Sequence, residues 1–393
     1  MEKYKLGEIS EFIRNGASIK QFDNADGYPI TRIETISNLK IDFKKMGYAN
    51  IYELGKYEDY LLKKGDILMS HINSDVHLGK SAVMEDDSKK IIHGMNLLCI
   101  RLKKEMANSK YMYYYFNHKL FRNKLSKIIK KSVNQASFSV TDLKKIDIEI
   151  PNIETQKKIV EILDKAQFLI DKKKEQIELL DELIKSRFID MFGDPVINNK
   201  NWETVELRYC IQEIKYGTST PPNFSEQGIP FIRATNIKEG RIVENDMKYI
   251  SEEEAKKIEK CKLSLGDTII VRSGANTGDN TFVPEKYVDC YGGYDIIVKL
   301  NEKINYRFLN VLLNSVYREV VIQPLTRRAG QPHLNSEQIQ SLMVYLPPIE
   351  LQNEFAEFVT QTDSIRSKME TSLSELEDNF NSLMQKAFKG ELF

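Results

Sequence analysis

The sequence has no long apolar run. Nowhere in its 393 residues do about 18 apolar residues follow one another, so no membrane-spanning helix is expected. Cysteine is scarce, and Cys99, Cys210, Cys261 and Cys290 stand far apart. That scatter suggests neither a disulfide framework nor a paired-thiol metal site, and a reducing cytoplasm is the expected location. The first ten residues have no basic segment followed by an apolar one, so no signal peptide is read. Neither glycine-rich phosphate signature, G-x-G-x-x-G or G-x-x-x-x-G-K-[ST], occurs, which leaves no sign of a dinucleotide fold or an NTPase. There is no H-E-x-x-H and no G-x-S-x-G, and the five histidines show no metal-ligand spacing. His71 and His77 lie six apart in a polar stretch and are read as loop residues. Thr220-Pro-Pro-Asn-Phe224 resembles the motif of amino-methyltransferases, but its leading residue is wrong and no adenosylmethionine loop precedes it. It is read as a loop. No catalytic centre is expected, and no cofactor or metal in this chain.

Net charge is also missing: 57 basic residues balance 57 acidic ones. The balance hides an asymmetry. Residues 1–150 hold 26 Lys and Arg against 19 Asp and Glu, whereas residues 347–393 hold 4 against 9. A basic globule and an acidic tail suit a chain that meets phosphate in one place and protein in another.

What the sequence does have is a copy of itself. Gly27-Tyr-Pro-Ile-Thr-Arg-Ile-Glu-Thr-Ile36 matches Gly228-Ile-Pro-Phe-Ile-Arg-Ala-Thr-Asn-Ile237, and Leu62-Lys-Lys-Gly-Asp66 matches Leu263-Ser-Leu-Gly-Asp267. The run Gln135 to Pro151 matches Gln331 to Pro347, and Ile153-Glu-Thr-Gln156 matches Ile349-Glu-Leu-Gln352. Landmarks in the same order mark a duplicated unit of about 200 residues. Each copy opens with short β-rich runs such as Ile67-Leu-Met69 and Thr268-Ile-Ile-Val271 between turn residues. A helical stretch follows (Lys110–Lys130, Tyr306–Val320). An alternating strand then leads to a proline, Pro151 or Pro347.

After each proline the pattern becomes a heptad. Leu163, Ile170, Ile177, Ile184 and Met191 fall seven apart, with Ile159, Ala166 and Leu180 on the alternate seam. Phe355, Met369, Leu376 and Leu383 repeat this with Val359, Leu373, Phe380 and Ala387. Two long helices are expected, partnering each other as an antiparallel coiled coil. Gly193 and Pro195 end the first. Two seam positions are polar, Lys173 and Arg366. They form either a hydrated layer that fixes register or a pair of snorkelling side chains. The expected domains are residues 1–150, a helix over 151–192, residues 193–346, and a helix over 347–393. The fold class is α+β.

Several residues could read DNA. Arg32 and Arg233 occupy matched positions, the latter near Asn236. Either they tie a turn or they contact nucleic acid. After each Gly-Asp strand comes a polar loop, with Ser70, His71 and Asn73 in one copy and Arg272, Ser273 and Asn276 in the other. Such side chains pair with base edges and phosphates. The flanks agree while the loops differ, as expected of two readers of different sequences on one scaffold. A third region precedes the last strand: Lys130, Lys131, Asn134, Gln135 and Ser137, matched by Arg327, Arg328, Gln331 and His333. Its duplicated basic pair and glutamine point to phosphate or base contact. Lys119, Arg122, Lys124 and Lys127 add charge nearby. Tyr111, Tyr113, Tyr114 and Tyr115 are read as helix packing, and Trp202 as structural.

The twin Gly-x-Pro…Arg segments, the twin Gly-Asp strands, and the Leu/Ile-Pro-x-Ile-Glu-x-Gln helix starts (Ile150–Gln156, Leu346–Gln352) together make the chain resemble a type I restriction–modification specificity subunit. Phe192-Gly-Asp194, closing the first helix, adds to the likeness. The resemblance covers the whole chain. It implies two target-recognition domains in a pseudo-twofold arrangement, each reading half of a split double-stranded DNA site, with the helices setting the gap. It also implies partners: two methylation subunits docked on the helices, using adenosylmethionine, and restriction subunits using ATP and magnesium. Members of the family do no chemistry themselves. Two other readings compete, a self-contained DNA-modifying or cleaving enzyme with an unrecognised site, and a coiled-coil scaffold that binds protein.

Overall fold

The computed structural model describes residues 1–23, 26–73, 77–131, 136–327 and 331–393. The chain divides into two compact units. The first comprises Met1–Lys173 with Ser372–Phe393, and the second Lys174–Thr371. Each therefore takes in a globular part and a stretch of both long helices, Ile153–Phe192 and Ile349–Lys389.

The duplication holds at the level of hydrogen bonds. The first unit has a four-stranded antiparallel sheet in the order Ser10–Asn15, Leu97–Leu102, Ile67–Ser70, Ser81–Val83. The second repeats it with Ile211–Tyr216, Ile296–Leu300, Thr268–Ile270, Asn280–Phe282. Both faces of each sheet are covered. Ile67, Met69, Leu98 and Ile100 face the core that holds the helix Ser109–Asn117, while Leu68, Leu97 and Cys99 join a separate cluster with Ile36 and Met46. Burial on both faces is why these strands read as unbroken apolar runs rather than alternating ones. In the second unit Ile270, Ile296 and Val298 divide from Ile269, Val271 and Ile297 in the same way.

Gly16 and Gly217, each just past the first sheet strand, are required by close approach. A Cβ on Gly16 would lie 2.3 Å from the carbonyl of Gly94, and one on Gly217 only 1.5 Å from that of Gly293. The small residue at this point lets two backbones touch.

The helical stretch is broken where the sequence pattern suggests one continuous run. In the first unit it breaks into Ser109–Asn117 and Lys119–Ser126, because His118 is extended and its ring accepts the N–H of Leu120 as the cap of the second piece. In the second unit Tyr306–Leu313 is followed by a π-helical segment, Arg318–Ile322. Asn108 and Asn305 cap the equivalent helices. The tyrosines pack as expected: Tyr111, Tyr114 and Tyr115 are buried, and the Tyr114 hydroxyl donates to Asp164 on the first long helix at 2.7 Å.

Within each unit the long helices run in opposite directions. Ile159, Val160 and Leu163, near the start of one, share a core with Ala387 and Phe388, near the end of the other. In the second unit Phe188 and Phe192 meet Phe355 and Phe308 at ring-centroid distances of 4.8–5.6 Å. Trp202 is structural, its indole donating to the carbonyl of Phe192 at 2.9 Å. Arg366 differs from a hydrated cation layer. It is buried and donates to Asp181 at 2.6 Å and to the carbonyl of Ile177 at 3.3 Å. A guanidinium inside a seam requires a counter-charge, and the facing helix supplies one. Among the described residues no helix is long and apolar enough to cross a membrane.

Candidate DNA interface

The loop after each Gly-Asp strand and the segment before the last strand come together in both units. In the first, the N–H of Phe138 donates to the carbonyl of His71 at 3.2 Å. Ile72–Asn73 then pairs with Ala136–Ser137, which pairs with Lys130–Lys131. In the second, the N–H of Leu334 donates to the carbonyl of Arg272 at 2.7 Å, and Ser273 bridges His333. The hydroxyl of Thr277 closes this loop by donating to the carbonyls of Gly274 and Pro332. Residues about 60 apart in sequence thus form one surface in each copy, on matching backbone bonds.

The side chains there differ. Arg272 is half-buried, with its guanidinium carbon 4.5 Å from the ring centre of Tyr216 and 4.3 Å from that of Tyr294. One of its terminal nitrogens lies 3.4 Å from Nε2 of His333. Tyr216 and Tyr294 were not singled out by sequence reasoning. Their signal was weak: each adjoins a glycine of the close backbone approach, Gly217 and Gly293. His71 holds the position matching Arg272. It is buried, its ring meets Phe138 edge-on, and burial holds its pKa below the usual histidine range. Lys130, Lys131, Arg327 and Gln331 are exposed, and Ser137, Ser273 and Asn276 are half-buried. Asn134, Gln135 and Arg328 lie outside the described residues, as does the side chain of Asn73.

Other candidates are committed to the fold. Asn236 is fully buried. Its amide donates to the carbonyls of Val243 and Asn245, and its oxygen accepts the N–H of Arg233. It supports a turn and offers no edge to DNA, which corrects the sequence expectation. Ser70 is likewise buried at the strand end. Arg32 donates to Gln21 at 2.9 Å and pairs with Asp23, while Arg233 pairs with Asp246 at 3.0 Å. In both copies the matched arginine meets an acid of its own unit, which is the turn-tying arrangement. Of the nearby lysines, Lys124 donates to the carbonyl of Asp147 at 2.8 Å.

Below Arg272 lies Asp295, only 3% exposed, whose carboxylate accepts the Arg272 backbone N–H at 3.3 Å. Burial pushes its pKa from about 3.8 up to about 6. A carboxyl that binds its proton more tightly when folded stabilises the fold at low pH, and that contribution is lost as pH rises through 6. Asp295→Asn keeps the accepting oxygen and removes the charge. It is expected to stabilise the second unit by about 2–3 kcal/mol at pH 8, from roughly two pKa units at 1.4 kcal/mol each. The gain should fade towards pH 4. Melting curves at the two pH values check this, and an equal effect at both would sink it.

Each unit also has a groove between its globular part and a long helix, of about 700 Å³ in the first and 610 Å³ in the second. Several of their charges pair within the groove: Lys110 with Asp164 at 3.0 Å and Glu85 at 3.2 Å, and Arg307 with Asp363 at 3.2 Å. Among the described residues no cluster of three or more His, Cys, Asp or Glu could hold a metal.

Residues 1–179 and 199–378 each match the family described as the type I restriction modification DNA specificity domain. The chain belongs to that family. It is similar to the putative type I restriction enzyme MjaX specificity subunit of Methanocaldococcus jannaschii, 33% identical over 93% of this chain and 87% of that one. It is also similar to the EcoKI specificity subunit of Escherichia coli, 23% identical over 93% and 83% of the two chains. In fold it matches the type I restriction–modification S subunit from M. genitalium, with a TM-score of 0.59 at 14% identity, covering 98% of this chain and 96% of the other. The two matched segments are the two copies found in the sequence, and the repeated sheet is the specificity-domain scaffold seen twice.

Proposed function

We propose that this chain selects the DNA target of a type I restriction–modification complex, each unit reading one half of a split double-stranded site. One observation carries the reading. The two units share a scaffold down to single hydrogen bonds, yet carry different side chains on the same loop pair, Ser137 and a buried His71 against Arg272 and His333. A common scaffold with divergent loops supports two half-sites of different sequence. The excess of basic residues over 1–150 supports phosphate contact. Catalysis belongs to partner subunits: methylation subunits with adenosylmethionine, and restriction subunits with ATP and magnesium. Apolar residues exposed on the first long helix, Phe168 and Leu169 in the first unit and Leu179 and Leu183 in the second, support the helices as the docking place for two methylation subunits.

The test is to map N6-methyladenine genome-wide in cells carrying the methylation subunit, with and without this chain. A split motif that depends on the chain is the expected result. Unchanged methylation with an active, complexed partner would overturn the reading. The long helices, of 40 and 41 residues, are proposed to set the gap. Removing seven residues from each shortens them by about 10 Å at 1.5 Å per residue. This is expected to change the gap and leave both half-sites intact, and methylation mapping that returns the original gap would refute the role.

A further inference from the structure

We infer that Arg272 is the base-reading residue of the second unit and recognises a guanine through the major groove. The inference rests on the proposed DNA-selecting function and names the chemistry of one contact within it.

Three observations converge. First, the guanidinium is held by aromatic faces, those of Tyr216 and Tyr294. Tyr216 is in turn fixed: its hydroxyl donates to the side chain of Ser336 at 3.1 Å and accepts the Ser336 N–H at 3.0 Å. A guanidinium lying over rings keeps its N–H donors in the plane of its own edge, pointing one way. Guanine presents two adjacent acceptors, O6 and N7, that fit such an edge, and this bidentate pair is the commonest specific contact in the major groove.

Second, among the described residues Arg272 has no carboxylate partner, and its one polar side-chain contact is a terminal nitrogen 3.4 Å from Nε2 of His333. The other described arginines of this unit that are at least partly buried each hold a carboxylate: Arg187 with Asp190 and Glu354, Arg233 with Asp246, Arg241 and Arg366 with Asp181, Arg307 with Asp363, and Arg318 with Asp279. Among the described residues Arg272 alone in that set forms no ion pair. The nearby acid, Asp295, meets its backbone N–H instead. Both rings are partly open to solvent, Tyr216 at 39% and Tyr294 at 46%, so a ligand can reach the cluster.

Third, the cluster changes as a set between the copies. The first unit has Asn15 where the second has Tyr216, on equivalent sheet strands, and His71 where it has Arg272. The turn that carries Tyr294 carries Met95 and Asn96 in the first unit. A phosphate contact is indifferent to sequence and would serve both units equally. Three positions that differ together, on backbone that does not differ, are where two half-sites are told apart.

The experiment selects bound duplexes from a library randomised across both half-sites, using the full chain with its methylation subunit. Wild type is expected to enrich a split motif with a fixed guanine in one half. Arg272→Gln, which keeps a polar side chain of similar reach, should lose the preference at that one position by about 5- to 150-fold. The rest of that half and all of the other should be unchanged. Tyr294→Leu should keep guanine preferred but weaken the preference. The inference is overturned if Arg272→Gln selects the original motif, if it weakens all duplexes uniformly, which marks a phosphate contact, or if the position that relaxes is not a guanine. A Tyr294→Leu variant with the wild-type preference removes the aromatic positioning. A wild-type complex that enriches no split motif would instead overturn the proposed function itself.

Discussion

Gln156→Leu is expected to lower the stability of the first unit by about 3–5 kcal/mol, read from denaturant unfolding. The Gln156 side chain has no exposure, and it makes three bonds to backbone. Its oxygen accepts the N–H of Asn108 at 2.8 Å, and its amide donates to the carbonyls of Met106 at 3.0 Å and Pro151 at 2.8 Å. Leucine fills much the same volume and satisfies none of these groups. Each buried backbone group left without a partner costs about 1–3 kcal/mol, and three are affected. The second unit has the same device. Gln352 accepts from Asn305 at 2.8 Å and donates to Lys303 at 3.3 Å and Pro347 at 2.8 Å. The bonds tie the first turn of each long helix to the cap of the helix packed beside it. Glu154 of the same motif is exposed and pairs with Lys157 on its own helix, so Glu154→Ala should leave the unfolding midpoint where it is. A Gln156→Leu loss below about 1 kcal/mol would show that water replaces the side chain, and the tie would then be no part of what holds the helix.

This pair of glutamines shows what kind of information the sequence carries. The Ile-Glu-x-Gln match was visible because the same backbone problem is solved twice with the same residue. Asp66 and Asp267 were visible for the same reason, each accepting the N–H three residues before it at 2.8 Å. The heptads were legible because a seam buries residues at a fixed period. The ends of the helical stretch were not, since His118 caps through a ring nitrogen and no spacing rule announces that.

The candidate DNA-contacting residues were only partly legible, for a different reason. Polar residue type does not say which way a side chain points. Asn236 and Arg272 both looked like base readers. One turns inward and caps a turn, while the other lies between partly exposed rings. The rings come from strands 56 residues before and a turn 22 residues after Arg272, so only the register of the sheet brings them together. Arg32 and Arg233 were balanced between two roles in the sequence. Each meets an acid of its own unit, Asp23 or Asp246, which supports the turn-tying role.

The second large effect comes from a charge pair that the duplication did not preserve. Arg101→Leu is expected to destabilise the first unit by about 3 kcal/mol, because it leaves a buried carboxylate without its counter-charge. Asp66 is 1% exposed and receives two bonds from Arg101, both at 2.7 Å. The pairing raises the Arg101 pKa, chiefly through those bonds. In the second unit Lys299 stands at the register position of Arg101, opposite Glu213 as Arg101 stands opposite Phe12. Among the described residues it forms no ion pair with Asp267, and burial pushes the Asp267 pKa up. Among the described residues, the first unit thus offsets the burial of its acid with an ion pair that the second lacks. That difference predicts the outcome of a double-mutant cycle. Asp66→Asn retains an oxygen for the Lys63 N–H and needs no cation, so adding it to Arg101→Leu should recover most of the loss. Additive losses in the double variant would mean that Arg101 acts through its packing on Phe12, 4.8 Å from the ring centre, and the charge argument would fall.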